Sequence, residues 1–161
     1  MTPTPSGRLR GTDLILTRTF RAPIEDVWTS VTDPESTARW FGTWKGTPGA
    51  GNTIQFQMRF EQGEPWMDAL IEACDAPRRL VLVTTGPHGM RLELALAETG
   101  GVTQLDLIQH AVAPAAVGDY GPGWEYYLDN LVAAREGREL PAFADYYPSQ
   151  KAYYKAALEG V

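Results

Sequence analysis

The residues best suited to acid–base chemistry near neutral pH are two histidines, His88 and His110. His88 lies in "GPHGM", a tight turn in which a solvated side chain is expected. His110 ends the strand-like segment "VTQLDLIQHA" and could serve as an acid, a base or a ligand anchor, although an ordinary strand-end histidine also fits this position. Because successive strand residues point to opposite faces, Gln109 and His110 cannot both point inward.

The residue spacing does not support the other common catalytic, phosphate-binding or metal-binding motifs. With two distant histidines and one cysteine, Cys74, no group has the spacing of a zinc site. The segment "GTPGAG" is followed by neither Lys-Ser nor Lys-Thr, which favours a hairpin turn over a phosphate loop. No G-x-S-x-G segment supports a Ser-His-Asp triad. Asp106, Glu72 and Glu93 alternate with apolar residues, as the solvated face of strands does. We therefore expect no metal and no cofactor.

Composition narrows the class of protein and of partner. The chain has 161 residues, 43% of them hydrophobic and 21% charged, which suits one globular domain. Its net charge of -6 argues against binding to nucleic acid or to anionic membrane surfaces. A single cysteine cannot form an intramolecular disulfide. No apolar run approaches about 18 residues and the start lacks the apolar segment of a signal peptide, so a cytoplasmic location is expected.

The first part of the chain predicts one strand followed by two short helices. Residues 1–11 have hardly any apolar content and are predicted to be a flexible lead-in. The β-branched and aromatic segment "TDLILTRTF" predicts a strand. Pro23 is expected to begin one helix, and Asp33 with Pro34 to cap and begin a second.

From residue 42 the apolar period changes to two, which predicts an antiparallel meander. In "TIQFQMRF" and "MRLELALAE", apolar residues alternate with polar and charged ones, so one face of each strand should be buried. With the neighbouring segments, the pattern predicts six or seven strands in total.

The longest predicted helix covers residues 121–137, beginning near Pro122 and ending at Gly137. Trp124, Tyr127, Leu128 and Leu131 share one face of this helix, whereas Tyr126 points to the other. The remaining residues, 138–161, form a tyrosine-rich extension with a predicted helix over 150–159. We expect Tyr126 to be covered by tyrosines of this tail, namely Tyr146, Tyr147, Tyr153 or Tyr154, either in the same chain or from a second subunit of a possible homodimer.

Several separated landmarks agree in order with one known family: "LTRTFRAPIEDVWTSVTDPESTARWF", "GTPGAGNTIQFQM", "DAPRRLVLV" and "GPGWEYYLDNL". Over residues 12–137 the sequence resembles the SRPBCC superfamily and, within it, the proteins named after the activator of Hsp90 ATPase. This resemblance implies an α+β helix-grip (Bet v 1-like) fold. In that fold a curved antiparallel sheet, here of six to seven strands, wraps around one long C-terminal helix, and two short helices follow the first strand.

The resemblance also implies a cavity between the sheet and the long helix, which in relatives takes up apolar or amphipathic small molecules. The same apolar stripes would also fit an ordinary core. The candidate ligand-binding residues on the cavity walls and at its mouth are Trp40, Phe41, Trp44, Phe56, Met58, Trp66, Leu92, Leu94, Leu107, Trp124, Tyr127, Leu128 and Leu131.

Three functions follow from these observations. The first is binding of a small apolar or aromatic molecule in the cavity. The second, implied by the resemblance to polyketide cyclases and aromatases of the superfamily, is an enzyme in which His110, Tyr127, Gln109 and Arg91 are the first candidates for catalysis. The third is a chaperone-partner module, but the resemblance spans a single domain, so Hsp90 is not the expected partner.

Overall fold

The computed structural model describes residues 3–160, which form one eight-stranded antiparallel sheet and four α-helices. Along the sheet the strands lie in the order β1-β2-β8-β7-β6-β5-β4-β3. The strands are β1 Arg8–Arg10, β2 Asp13–Phe20, β3 Trp44–Gly46, β4 Thr53–Gln57, β5 Trp66–Asp75, β6 Arg79–Val83, β7 Arg91–Thr99 and β8 Val102–His110. The helices are α1 Ile24–Thr32, α2 Pro34–Thr37, α3 Val117–Arg135 and α4 Lys151–Glu159.

This architecture confirms the predicted helix-grip fold, in which the curved sheet packs around the long helix α3. The two short helices follow the strand β2, as predicted. The carboxylate of Asp33 caps α2 by accepting a hydrogen bond from the backbone N–H of Ser36 at 3.1 Å. The sheet has eight strands, whereas the sequence predicts six or seven, and the strand that was not predicted is β1.

Strand β1 lies within residues 1–11, the segment predicted to be a flexible lead-in. It pairs with β2 across a tight turn at Gly11, whose φ is 62°. Leu9 packs against the core, and the backbone N–H groups of Ser6 and Gly7 donate to the carboxylate of Glu125. These long-range contacts order a segment that has no apolar pattern of its own. Met1 and Thr2, also in the predicted lead-in, lie outside the described residues.

Helix α3 begins at Val117, not at residue 121 as predicted, so Pro122 lies inside the helix. A 3-10 turn over Pro114–Ala116 leads into it. Pro122 removes one helical N–H donor, but burial of the surrounding face stabilises the helix enough to carry it through this position. The proline therefore gave a misleading signal for the start of the helix.

The C-terminal extension packs on α3 in the same chain. The ring of Tyr126 contacts the rings of Phe143 and Tyr146, with centroids 5.4 and 5.6 Å apart. Of the four tyrosines proposed to cover Tyr126, Tyr146 does so. Tyr154, which is fully buried, packs instead against Gly7 and Gly121. Val161, the last residue of the predicted extension, lies outside the described residues.

None of the helices formed by residues 3–160 has the length and apolarity needed to cross a membrane.

Candidate ligand-binding cavity

A cavity of about 500 Å³ lies between the two short helices and the inner face of the sheet, defined here as the face that carries Leu82 and Leu92. Its walls come from α1, α2, the segment that follows α2, and strands β3 to β8. The strands supply mostly leucine and isoleucine, and the helices supply chiefly tryptophan and threonine. The cavity is therefore lined chiefly by apolar side chains.

Most of the residues predicted from the sequence as cavity walls line this cavity. They are Trp40, Phe41, Trp44, Phe56, Met58, Leu92, Leu94, Leu107 and Trp124. The period of two in β4, β7 and β8 correctly indicates which side chains point inward, because alternation along a strand is fixed by the backbone.

Four predicted wall residues do not line the cavity. Leu128 and Leu131 are completely buried in the main hydrophobic core. Trp66 lies on the outer face of β5, with 45% of its surface exposed and the Lys45 ammonium 4.4 Å from its ring. Tyr127 lies one layer behind the wall, where its ring packs on that of Phe41 with centroids 4.9 Å apart.

Helix α3 contributes less to the cavity than the sequence predicts. Within residues 3–160, Trp124 is its one residue on the wall. The expectation of a cavity between the sheet and this long helix is corrected accordingly: the cavity lies mainly beneath α1 and α2. The reason is that Leu128, Leu131 and their neighbours on the inner face of α3 pack directly into the core.

Several wall residues were missed by sequence reasoning. Trp28 and Val31 from α1 line the cavity, and the apolar face of that helix could have indicated them. Leu80 and Leu82 come from β6 and Ile71 from β5. The strands that contain these three residues were predicted. The local sequence, however, does not distinguish a residue on a cavity wall from a residue in a packed core.

The indole of Trp124 is held by Gln109. Its Nε1–H donates to Oε1 of Gln109 at 2.7 Å, and both side chains are buried. Gln109 therefore points inward and His110 outward, as alternation along the strand requires.

The threonine hydroxyls of the wall form hydrogen bonds within the protein. The hydroxyls of Thr29, Thr32 and Thr37 donate to backbone carbonyls of their own helices. The hydroxyl of Thr84 accepts from the backbone N–H of Met90 at 3.0 Å. Hydroxyls engaged in this way leave the wall with few groups that can orient or protonate a ligand.

His110 and Arg91, two of the catalytic candidates, lie on the outer face of the sheet. His110 is bonded to Asp13 through Nδ1 at 3.2 Å and to Glu93 through Nε2 at 2.8 Å. Arg91 forms an ion pair with Glu72 at 2.7 Å. Neither side chain lines the cavity, so the structure does not bring them together with Gln109 and Tyr127.

Charged partners also set the protonation of this outer cluster. Burial acts to raise the pKa of Glu93, but hydrogen bonds from Arg79 and His110 outweigh it and lower the pKa. The hydrogen bond from Arg91 likewise lowers the pKa of Glu72. Both carboxylates are therefore ionised at neutral pH and act as partners of surface cations.

Tyr127 keeps its proton at neutral pH. Burial raises the pKa of its hydroxyl, and the carboxylate of Glu61, which accepts its hydrogen bond at 2.5 Å, raises it further. The hydroxyl acts as a donor that ties α3 to the loop after β4. It is not placed to act as a base towards the cavity.

Comparison with known proteins places the chain among proteins of this fold. CalU16 from Micromonospora echinospora is 25% identical, with a TM-score of 0.76 and 96% of each chain covered. The BPP1335 protein of Bordetella parapertussis is 22% identical, with a TM-score of 0.72 over 99% of this chain and 94% of that one. DynU16, a protein of the dynemicin biosynthetic locus, is 19% identical, with a TM-score of 0.67; the match covers 86% of this chain and 51% of DynU16.

The comparison with curated proteins found no match. Residues 21–136, well over half of the chain, match the family model described as Activator of Hsp90 ATPase homolog 1-like protein. The chain therefore belongs to the family of Activator of Hsp90 ATPase homolog 1-like proteins.

Proposed function

We propose that this protein binds a small apolar molecule in the cavity beneath α1 and α2. The observation that carries the proposal is a cavity of about 500 Å³ with walls that are almost entirely apolar. Ligand pockets in proteins commonly measure roughly 300–1,000 Å³ and combine apolar walls with few polar groups. Burial of an apolar ligand in such a space is favourable by about 25 cal/mol for each Å² removed from water.

The aromatic residues on the wall indicate the kind of surface that the ligand meets. The indole N–H groups of Trp40, Trp44 and Trp124 donate to the carbonyl of Ser30, the carbonyl of Thr32 and Gln109, respectively. These indoles therefore offer aromatic carbon to a ligand and no free donor. A planar aromatic body, which can stack on such rings, fits this surface well.

A binding role accounts for the cavity better than the cyclase-like alternative. Acid–base catalysis needs a titratable group within hydrogen-bond reach of the substrate. Among the candidates, His110 and Arg91 lie on the outer face, Gln109 is engaged by Trp124, and Tyr127 donates to Glu61. A cavity that holds a ligand without changing it requires none of these residues to react.

The proposal is tested by native mass spectrometry of the freshly purified protein, followed by titration with N-phenyl-1-naphthylamine, a neutral probe that fluoresces in apolar surroundings. We expect saturable binding of one probe per chain. We also expect a higher melting temperature, since a ligand at about 100 times its Kd stabilises the folded state by about 2.7 kcal/mol. No retained ligand, no saturable fluorescence and no thermal shift across a panel of aromatic and lipid compounds would refute the proposal.

A further inference from the structure

Among the residues that the structure describes, none on the cavity wall carries a positive charge. The chain contains 14 lysines and arginines and two histidines, yet none of them is among the wall residues found within residues 3–160. The one wall residue in that range with a formal charge at neutral pH is Asp33, which is exposed at the mouth. Cys74, which is also exposed, is the other wall residue in that range with a titratable side chain.

Asp33 retains capacity to accept hydrogen bonds from a ligand. Its two recorded hydrogen bonds, from the backbone N–H and the hydroxyl of Ser36, both go to Oδ2 at 3.1 Å. Within residues 3–160, Oδ1 has no recorded hydrogen bond and no cation lies within ion-pair distance of this carboxylate. An ionised carboxylate can accept several hydrogen bonds, and it interacts most strongly with a cationic donor.

Asp33 lies between two helix ends: it follows the C-terminal end of α1 and caps the N-terminal end of the four-residue helix α2. Helix α1 ends at Thr32, and its last turn contains no basic residue. The C-terminal end of a helix carries a partial negative charge, which favours cations. The protein as a whole has a net charge of -6, so its overall field also favours a cationic ligand over an anionic one.

We infer that the ligand is an amphiphilic amine, with its apolar body in the cavity and its ammonium group beside Asp33 at the mouth. This inference rests on the proposed binding function. A carboxylate, sulfonate or phosphate at the same position would lose water without gaining a cationic partner, and it would be repelled by Asp33. A neutral alcohol of the same shape suffers neither effect and serves as the reference.

The experiment compares three ligands that share one naphthalene body: 1-naphthylmethanol, 1-naphthoate and 1-naphthylmethylammonium. Each is titrated against the full-length protein near neutral pH by displacement of N-phenyl-1-naphthylamine. We expect the carboxylate to bind about tenfold more weakly than the alcohol, because it is desolvated without a partner. The ammonium compound should bind about threefold to fivefold more tightly than the alcohol, because the carboxylate of Asp33 is exposed and partly screened.

Asp33→Asn isolates the charge, because asparagine can still cap α2 through its side-chain oxygen. In this variant the ammonium compound should lose its advantage over the alcohol. Asp68→Asn is the matched control: it removes the same charge from the outer face of β5 and should leave all three affinities as in the wild type.

The outcomes separate the two proposals. If the probe binds but the three ligands compete equally, or the carboxylate competes best, the charge preference is refuted and the binding function stands. An equal loss of ammonium affinity in Asp33→Asn and Asp68→Asn would also refute it, since the effect would then come from net charge. If neither the probe nor any of the ligands binds, the binding function fails and the inference fails with it.

Discussion

Nε1 of Trp124 lies 2.7 Å from Oε1 of Gln109, so one buried hydrogen bond joins helix α3 to strand β8 at the wall of the cavity. The bond fixes the plane of an indole that also stacks near Phe41, with ring centroids 6.4 Å apart. Trp124 is thus held in place by the protein and does not depend on a ligand for its hydrogen bond. A preformed wall of this kind lowers the entropic cost of binding.

Replacing Gln109 with methionine should therefore destabilise the fold. The change keeps a side chain of similar length but leaves the indole N–H of Trp124 buried without a partner, which costs about 1–3 kcal/mol. Urea denaturation followed by tryptophan fluorescence measures the free energy of unfolding. Gln104→Met, at an exposed position of the same strand, should change it by less than about 0.5 kcal/mol. Equal effects of the two substitutions would contradict this role of the bond.

Glu125 should make stability depend on pH in the acid range. Burial acts to raise its pKa, but hydrogen bonds from Tyr154, Arg18 and Ser6 outweigh that effect and lower the pKa. A carboxyl group with a lowered pKa in the folded state stabilises the protein above its unfolded-state value of about 4.3, and this stabilisation is lost as the pH falls through the folded-state value.

Glu125→Gln tests this linkage. At about pH 7 the variant should unfold with a free energy lower by about 2 kcal/mol, and the difference should shrink as the pH falls from the unfolded-state value of about 4.3 through the folded-state pKa, because the wild-type carboxyl group then also becomes protonated. Chemical denaturation over this pH range gives both curves. Glu139→Gln, at an exposed glutamate, should follow the wild type. A gap that stays constant with pH would show that the ionised carboxylate is not the source of the stability.

Two glycines of α3 should respond in opposite ways to alanine. A Cβ at Gly121 would lie 2.6 Å from ring atoms of Tyr154, so Gly121→Ala should push α4 away and destabilise the protein by about 1–3 kcal/mol. A Cβ at Gly123 meets no atom within 4 Å, so Gly123→Ala should stabilise the helix by up to about 1 kcal/mol. Melting temperatures of the two variants and the wild type show whether each substitution stabilises or destabilises the protein. A Gly121→Ala protein as stable as the wild type would mean that the tail does not pack closely on α3.

The strands show how far local sequence patterns reach. Leu92, Leu94 and Leu107 were correctly predicted to point inward, because the period of two in a strand is a property of the backbone itself. Strand β1 was not predicted, because pairing with β2 and contacts to Glu125 order it. Glu125 is 119 residues away from Ser6 along the chain, and no local pattern indicates that contact.

Helix α3 shows what a local sequence pattern does not predict. Its apolar face was identified from the sequence, but that pattern does not show what the face packs against. Trp124, Leu128 and Leu131 share one face of the helix. Trp124 lines the cavity, whereas Leu128 and Leu131 lie in the core. Glu125 lies between apolar neighbours as a fully buried carboxylate, which composition alone would place at the surface.

The most direct test of the central claim is to fill the cavity. Leu92→Trp places an indole in the space that the ligand should occupy, and Leu70→Trp makes the same change on the outer face of β5, where Leu70 is exposed. Both variants should fold, as judged by circular dichroism, because each new indole has room. Titration with N-phenyl-1-naphthylamine should then give at least about tenfold weaker binding for Leu92→Trp and unchanged binding for Leu70→Trp. A folded Leu92→Trp protein that binds the probe as tightly as the wild type would show that the cavity is not the binding site.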